Sequence, residues 1–320
     1  MTEDLKPPKI IVICGPTGVG KTGFAIDLAR RFGGQIVGAD SMQIYRFMDV
    51  GTAKPTTAER AAVKHHMVDV ADPRHNFDAA EFASQAHVCI AGLLRDAILP
   101  FVTGGTGLYI KALLHGLSEA APSDPAVRNT LRRDLRETGA AAMHGRLVHV
   151  DAPAARRIHP NDSYRVIRAL EVHAITGRPL SHHHKSHGFA TRRYDALQIG
   201  LSLPREELYE RIDRRVDMML DQGFIEEVRA LLDKGYSDSL KAMQSLGYRH
   251  MVDYIQGRME REEAVRLMKR DHRRYAKRQM TWFRADARVQ WLAPDQTDAA
   301  ARMISAFLNL DSSDDQGKGM

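Results

Sequence analysis

Lys9-Ile10-Ile11-Val12-Ile13-Cys14 is an unbroken run of apolar, mostly β-branched positions, long enough for a strand and too short for a helix. It stops at a glycine-rich stretch, after which Phe24, Leu28 and Phe32 recur at a helical period. The pattern predicts strand, loop, helix. Further apolar runs predict strands at residues 35–40, 66–70 and 100–103. The last follows a predicted helix with Asp78 as N-cap and Phe82, Cys89, Ile90 and Leu93 on one face. Runs at 197–203 and 289–292 can complete the sheet. Unbroken apolar strands alternating with helices predict an α/β fold whose parallel sheet is covered on both faces. Its ligands are expected in the loops at the carboxyl ends of the strands.

Between residues 118 and 196 the strand-type runs stop and Arg, His and Pro become frequent. Amphipathic segments resume at 205–220, 224–232 and 262–283. This predicts a P-loop-type core from residues 1–117 and 197–310, an inserted all-helical subdomain at 118–196 and a disordered tail at 311–320. His182-His183-His184 is expected in a loop, where neighbouring rings point apart and make a poor metal site.

A hydrophobic fraction of 43% with 27% charged residues belongs to a globular chain, which excludes collagenous and low-complexity classes. No apolar stretch reaches membrane-spanning length and residues 1–9 are polar, so no membrane span or signal peptide is expected and the cytoplasm is the expected location. Two cysteines cannot build a disulfide framework or a thiolate zinc cage, and both are expected to be buried. The net charge of +6 is unevenly spread. Residues 118–200 hold 13 basic and 8 acidic side chains, and residues 266–288 hold 9 and 2. A polyanionic partner would meet these segments.

Gly15-Pro16-Thr17-Gly18-Val19-Gly20-Lys21-Thr22 fits G-x-x-x-x-G-K-[ST] between a predicted strand and a predicted helix. Backbone amides from Thr17 to Gly20 are expected to cradle phosphate oxygens, Lys21 to supply a point charge and Thr22 to ligate Mg²⁺. The cradle alone does not say which phosphate is held. A hydrolase would add an acid at a strand end, yet the run at 100–103 leads into Gly104-Gly105-Thr106-Gly107. Asp40, after the second strand, is instead available as a general base, with a magnesium ligand or a helix cap as its alternatives.

Six segments in order carry a family resemblance. They are 15–22; Asp40-Ser41-Met42-Gln43 continuing to Pro55; Gly104 to Tyr109; His159 to Asp162 with Arg165 and Arg168; Ser245 to Arg249; and Ala276 to Arg284. Together, from about residue 10 to 292, they resemble the tRNA dimethylallyltransferases. The resemblance implies transfer of the dimethylallyl group of dimethylallyl diphosphate to N6 of the adenosine at tRNA position 37, beside the anticodon, with release of diphosphate. It assigns Asp40 as base, Thr106 near the reacting groups, and Arg215 and the P-loop to the diphosphate, with Mg²⁺ as cofactor. It places tRNA contacts at Asp40 to Gln43, Thr106, Arg128, Tyr164-Arg165-Val166-Ile167-Arg168 and Gln244-Ser245-Leu246-Gly247-Tyr248-Arg249. The implied partners are the anticodon stem-loop and the prenyl donor, handled by a monomer with no membrane. The chain ends without the zinc finger of the eukaryotic branch and so resembles the bacterial form. For the arginines, and for the basic segment from Lys269 to Arg278, a solvated helix face is the alternative. The alternative functions are an isopentenyltransferase acting on free adenine nucleotides, a P-loop ATPase or kinase using ATP, and an RNA-binding protein with a regulatory P-loop. A basic insertion argues against the first, and the missing strand-end acid argues against hydrolysis.

Overall fold

The computed structural model describes residues 7–116, 124–187 and 193–309, and the tail expected to be disordered lies outside them. The chain divides into two compact units, one running to Leu114 and resuming at Arg193, the other His115–Arg192. The first opens with β1 (Lys9–Cys14), α1 (Lys21–Arg31), β2 (Gln35–Gly38), α2 (Thr57–Ala62), β3 (His65–His66), α3 (Ala79–Arg95), β4 (Pro100–Gly104) and α4 (Gly107–His115). The second holds α5 (Pro125–Val150), α6 (Ala152–Ala155), α7 (Ser163–Thr176) and α8 (Leu180–His187). The chain then resumes the first with β5 (Asp195–Leu201), α9 (Arg205–Asp221), α10 (Phe224–Asp233), α11 (Tyr248–Ile255), α12 (Arg261–Arg284), β6 (Gln290–Leu292) and α13 (Thr297–Leu308).

The strands lie in the order β3-β2-β4-β1-β5-β6 and every pairing is parallel. Successive side chains of β1 alternate between the faces of the sheet, and both faces are covered. Ile11 and Ile13 join Phe24, Leu28, Ile199 and Ile304 in one cluster, while Ile10 and Val12 are equally buried. Each such burial is worth about 1.5–3 kcal/mol, which is why unbroken apolar runs mark these central strands.

β3 is shorter than its apolar run predicts. After pairing at His65 and His66 the chain turns out of the sheet, with Met67 and Asp69 at φ 61° and 59°. Asp69 then receives Lys54 at 2.6 Å and Arg60 at 2.8 Å. Charge-assisted hydrogen bonds at about 1.5–3 kcal/mol each outweigh about 1–2 kcal/mol per left-handed residue. Asp78 caps α3 by accepting from the Ala80 and Glu81 amides, as predicted. Cys14 is buried, and burial pushes its thiol up to about 12, whereas Cys89 is only half-buried, contrary to expectation.

In the helical unit, α5 is broken at Gly139, whose φ of 84° and ψ of 167° are not helical. Leu131, Met143 and Leu147 of α5 pack on Val166, Ile167 and Leu170 of α7. The three histidines lie in a helix, α8, and not in a loop. Asp151 explains this, since its carboxylate accepts the Ser181 amide at 2.8 Å in the first turn of α8, a cap supplied from 30 residues away.

Candidate active site

The carboxyl ends of β1, β2 and β4 carry the predicted chemistry. Beyond β1 the chain turns through Gly15 and Gly18 at φ 146° and 81°. A Cβ at Gly18 would stand 2.9 Å from the Ile212 side chain, so the loop can lie against α9 only as glycine. Lys21 opens α1 and its Nζ donates to the Pro16 carbonyl at 2.7 Å. Burial lowers the Lys21 ammonium to about 8, with Asp40 opposing and nearby Arg215 assisting.

Beyond β2, Asp40 Oδ1 accepts the Met42 and Gln43 amides at 2.8 and 3.3 Å. Residues 41–44 form a turn, so Oδ1 holds a turn and does not cap a helix, and among the described residues Oδ2 has no hydrogen-bond partner. Beyond β4, Thr106 Oγ1 accepts the Ser41 amide at 3.0 Å and donates to the Ser41 hydroxyl at 3.3 Å, tying the two loops together. Arg215 of α9 does not lie on a solvated face. It donates to Thr17 Oγ1 at 3.1 Å and reaches the Thr52 carbonyl at 3.5 Å, whereas neighbouring Arg214 is exposed.

Lys21, Asp40 and Arg215 line one cavity of about 2080 Å³, which also takes in Thr22, while Thr106 stands behind its lining, bonded to Ser41. Eleven basic and five acidic side chains face it. Lys54 holds Asp49 and Asp69, Arg249 and Arg270 hold Asp271, and Thr56 binds Glu59. Asp40 is the cavity carboxylate whose charge acts on Lys21 and Arg215, and its Oδ2 is free of hydrogen bonds among the described residues.

The segments expected to touch RNA divide by burial. Ser41, Met42, Gln43, Ser245, Leu246 and Arg249 line the cavity. Gln244 instead donates to the Asp238 carbonyl at 2.7 Å. Tyr248, expected as a contact, is 0% exposed and donates to Glu227 at 2.6 Å, so its side chain is part of the core. In the helical unit Tyr164 and Arg165 are exposed, but Val166 and Ile167 are core residues whose side chains are not available to a partner. Arg128 and Arg168 meet the fully buried Glu171 at 2.8 and 2.7 Å. Burial alone would raise the Glu171 carboxyl, and the two arginine bonds outweigh it and hold it below its usual range. Along α12 the basic residues separate. Arg270, Arg274 and Arg278 line the cavity with Tyr275, while Lys269 and Arg273 pair with Asp217 and Asp213. Met268 is core, but Trp282 is 42% exposed.

Two positions emerge only in three dimensions. Glu227 of α10 accepts the amides of Asp49, Val50 and Gly51 at 2.8, 2.7 and 3.1 Å, anchoring the loop that presents Thr52 to Arg215. Replacing Glu227 with Ala is expected to cost about 1–3 kcal/mol, because several donors lose one acceptor. Urea denaturation reads this directly, and an unchanged midpoint would show that the loop is held by other contacts. Gln279 of α12 is 6% exposed and bridges two site loops. The available sequence signal was a polar residue on the helix face marked by Met268, Ala276 and Phe283.

The IPP transferase family model matches residues 43–286, and an isopentenyl transferase model matches residues 8–76. A tRNA dimethylallyltransferase of Desulfosudis oleivorans is 56% identical over 94% of this chain and 96% of its own. This chain belongs to the tRNA dimethylallyltransferase family. A second such relative, of Desulfatibacillum aliphaticivorans, is 52% identical over 94% of this chain and 98% of its own. Among solved structures, the tRNA isopentenylpyrophosphate transferase of Bacillus halodurans aligns with a TM-score of 0.70 and 39% identity, over 94% of this chain and 97% of that one. A eukaryotic dimethylallyltransferase captured acting on tRNA aligns with a TM-score of 0.77 and 27% identity, over 97% of this chain and 81% of that one. Membership of the tRNA dimethylallyltransferase family makes the protein a transferase, and the hydrolase and free-nucleotide readings are not favoured. Among the described residues no helix is long and apolar enough to cross a membrane.

Proposed function

We propose that the cavity transfers the dimethylallyl group of dimethylallyl diphosphate to N6 of the adenosine at position 37 of tRNA. The observation that carries this reading is one carboxylate oxygen, Asp40 Oδ2, left free in the same cavity as a cationic glycine-rich cradle. In the reaction a bond forms between N6 and the allylic carbon, the carbon–oxygen bond breaks, and its electron pair leaves with the diphosphate. The N6 proton passes to Asp40. Lys21, Arg215 and the loop amides stabilise the charge growing on the leaving group. The amide of Thr17 is not among them, because it donates to Gln279 at 2.9 Å.

Among the described residues no cluster of three acidic, histidine or cysteine side chains is placed to cage a metal. A hard divalent cation held by substrate phosphates, water and one hydroxyl needs no such cage, so Thr22 beside the cradle suits Mg²⁺. When bound, Mg²⁺ would neutralise diphosphate charge. The cavity exceeds the roughly 300–1,000 Å³ of ordinary ligand pockets, which leaves room for the prenyl donor together with an unstacked nucleoside. Arg249, Arg270, Arg274 and Arg278 supply charge for the RNA backbone, Tyr164 and Arg165 offer exposed contacts on the helical unit, and the protein works as a cytoplasmic monomer.

An anticodon stem-loop with adenosine at position 37 should accept the group, and the same RNA with inosine there, which lacks the exocyclic amine, should not. Product on the inosine RNA would overturn the assignment of N6. Lys21 adds a pH dependence. With its ammonium at about 8 in the free protein, its attraction for diphosphate is present below that pH and is lost as pH rises above it, by up to about tenfold per unit. Calorimetric titration with inorganic diphosphate from pH 7 to 9.5 should therefore show the advantage of the wild type over Lys21→Met shrinking above pH 8. A constant ratio would remove Lys21 from the diphosphate site.

A further inference from the structure

We propose that Gln279 is a positioning residue which sets the spacing between the donor and acceptor halves of the site. Its Oε1 accepts the Thr17 amide at 2.9 Å and its Nε2 donates to the Gly105 carbonyl at 2.8 Å. A backbone amide can only donate and a carbonyl can only accept, so the two partners fix the side-chain orientation. A Cβ on Gly105 would collide with Gln279 Nε2, so the strut occupies space that glycine leaves open.

On one side of the strut lies the cradle, since Thr17 belongs to the glycine-rich loop and its hydroxyl accepts Arg215. On the other side the linkage runs to the base. Thr106, next to Gly105, donates its amide to the Ala39 carbonyl at 3.2 Å and accepts the Ser41 amide on Oγ1 at 3.0 Å. Ala39 and Ser41 flank Asp40. The buried amide of one side chain thus connects the loop that holds the leaving group to the loop that holds the proton acceptor. Ionic groups would distort such a link, whereas a neutral amide supplies a donor and an acceptor without adding charge to a cationic site.

This rests on the assignment of the glycine-rich loop to diphosphate and of the Asp40 loop to adenosine. Attack at carbon needs the two halves aligned to within a fraction of an ångström, and a misplacement of about 1 Å costs on the order of 10²-fold in rate. In the full chain, Gln279→Met, which removes both bonds at similar volume, is expected to slow transfer at saturating donor and tRNA by about 10- to 100-fold. Dissociation constants for both substrates should stay near wild type. Gly105→Ala reaches the same break independently, by displacing the amide with a new Cβ, and is expected to show the same loss of kcat with little change in KM. Gln279→Glu keeps the acceptor but loses the donor, and should not rescue. Thermal melts identify which variants fold. A wild-type rate in any folded Gln279 variant overturns the proposal, as does a loss explained wholly by weaker substrate binding. Wild-type protein that makes no product overturns the function itself, so the two failures are distinguishable.

Discussion

Replacing Asp40 with Asn is expected to slow single-turnover dimethylallyl transfer by about 10² to 10⁴-fold while leaving tRNA affinity nearly intact. Asn is the informative substitution because Asp40 does two things. Its Oδ1 caps the turn at Met42 and Gln43, a role the Asn carbonyl can keep, and its Oδ2 is the atom available for a proton. Asp40→Ala removes both, and the lost cap costs about 1 kcal/mol in addition. A difference in tRNA affinity between the two variants would measure the turn, since Ser41, Met42 and Gln43 also line the cavity. Rapid-quench measurement with bound tRNA reads the chemical step. A wild-type rate for Asp40→Asn would take the base away from this residue.

Arg215→Ala is expected to weaken dimethylallyl diphosphate binding and to slow transfer by about 10² to 10³-fold, the loss seen when one donor to a developing anion is removed. Its guanidinium has a fixed place between Thr17 Oγ1 and the Thr52 carbonyl, so it is preorganised for the leaving group. Lys in its place keeps the charge without the planar fork and should restore only part of the rate. Donor-dependent single-turnover rates separate binding from chemistry. Wild-type constants for both would return Arg215 to a structural role.

The sheet and the cradle were legible in the sequence because their signals are local. An apolar run, a glycine spacing and a helical period each lie within about a dozen residues. β3 was misjudged because its apolar character is overridden by Lys54 and Arg60, cations outside the strand that draw Asp69 away. Gln279 and Glu227 were silent for the same physical reason. The partners of Gln279 lie 262 and 174 residues away, and the three loop amides that Glu227 accepts lie 176 to 178 away. Motif membership also does not report which way a side chain faces. Tyr248, Val166 and Ile167 stand in segments expected to touch RNA, yet their side chains build the cores that hold those segments. Arg215 went the other way, since its helix neighbours Arg211 and Arg214 left a solvated face as the alternative to the diphosphate contact, and the structure turns its guanidinium onto Thr17.

The most direct test of the account is to incubate the purified chain with Mg²⁺, isotope-labelled dimethylallyl diphosphate and either tRNA or AMP, and to analyse the nucleosides by mass spectrometry. The account predicts one five-carbon isoprenoid unit on a tRNA adenosine, stoichiometric release of diphosphate and no product on AMP. Transfer to AMP, or turnover of ATP without prenyl transfer, would contradict it.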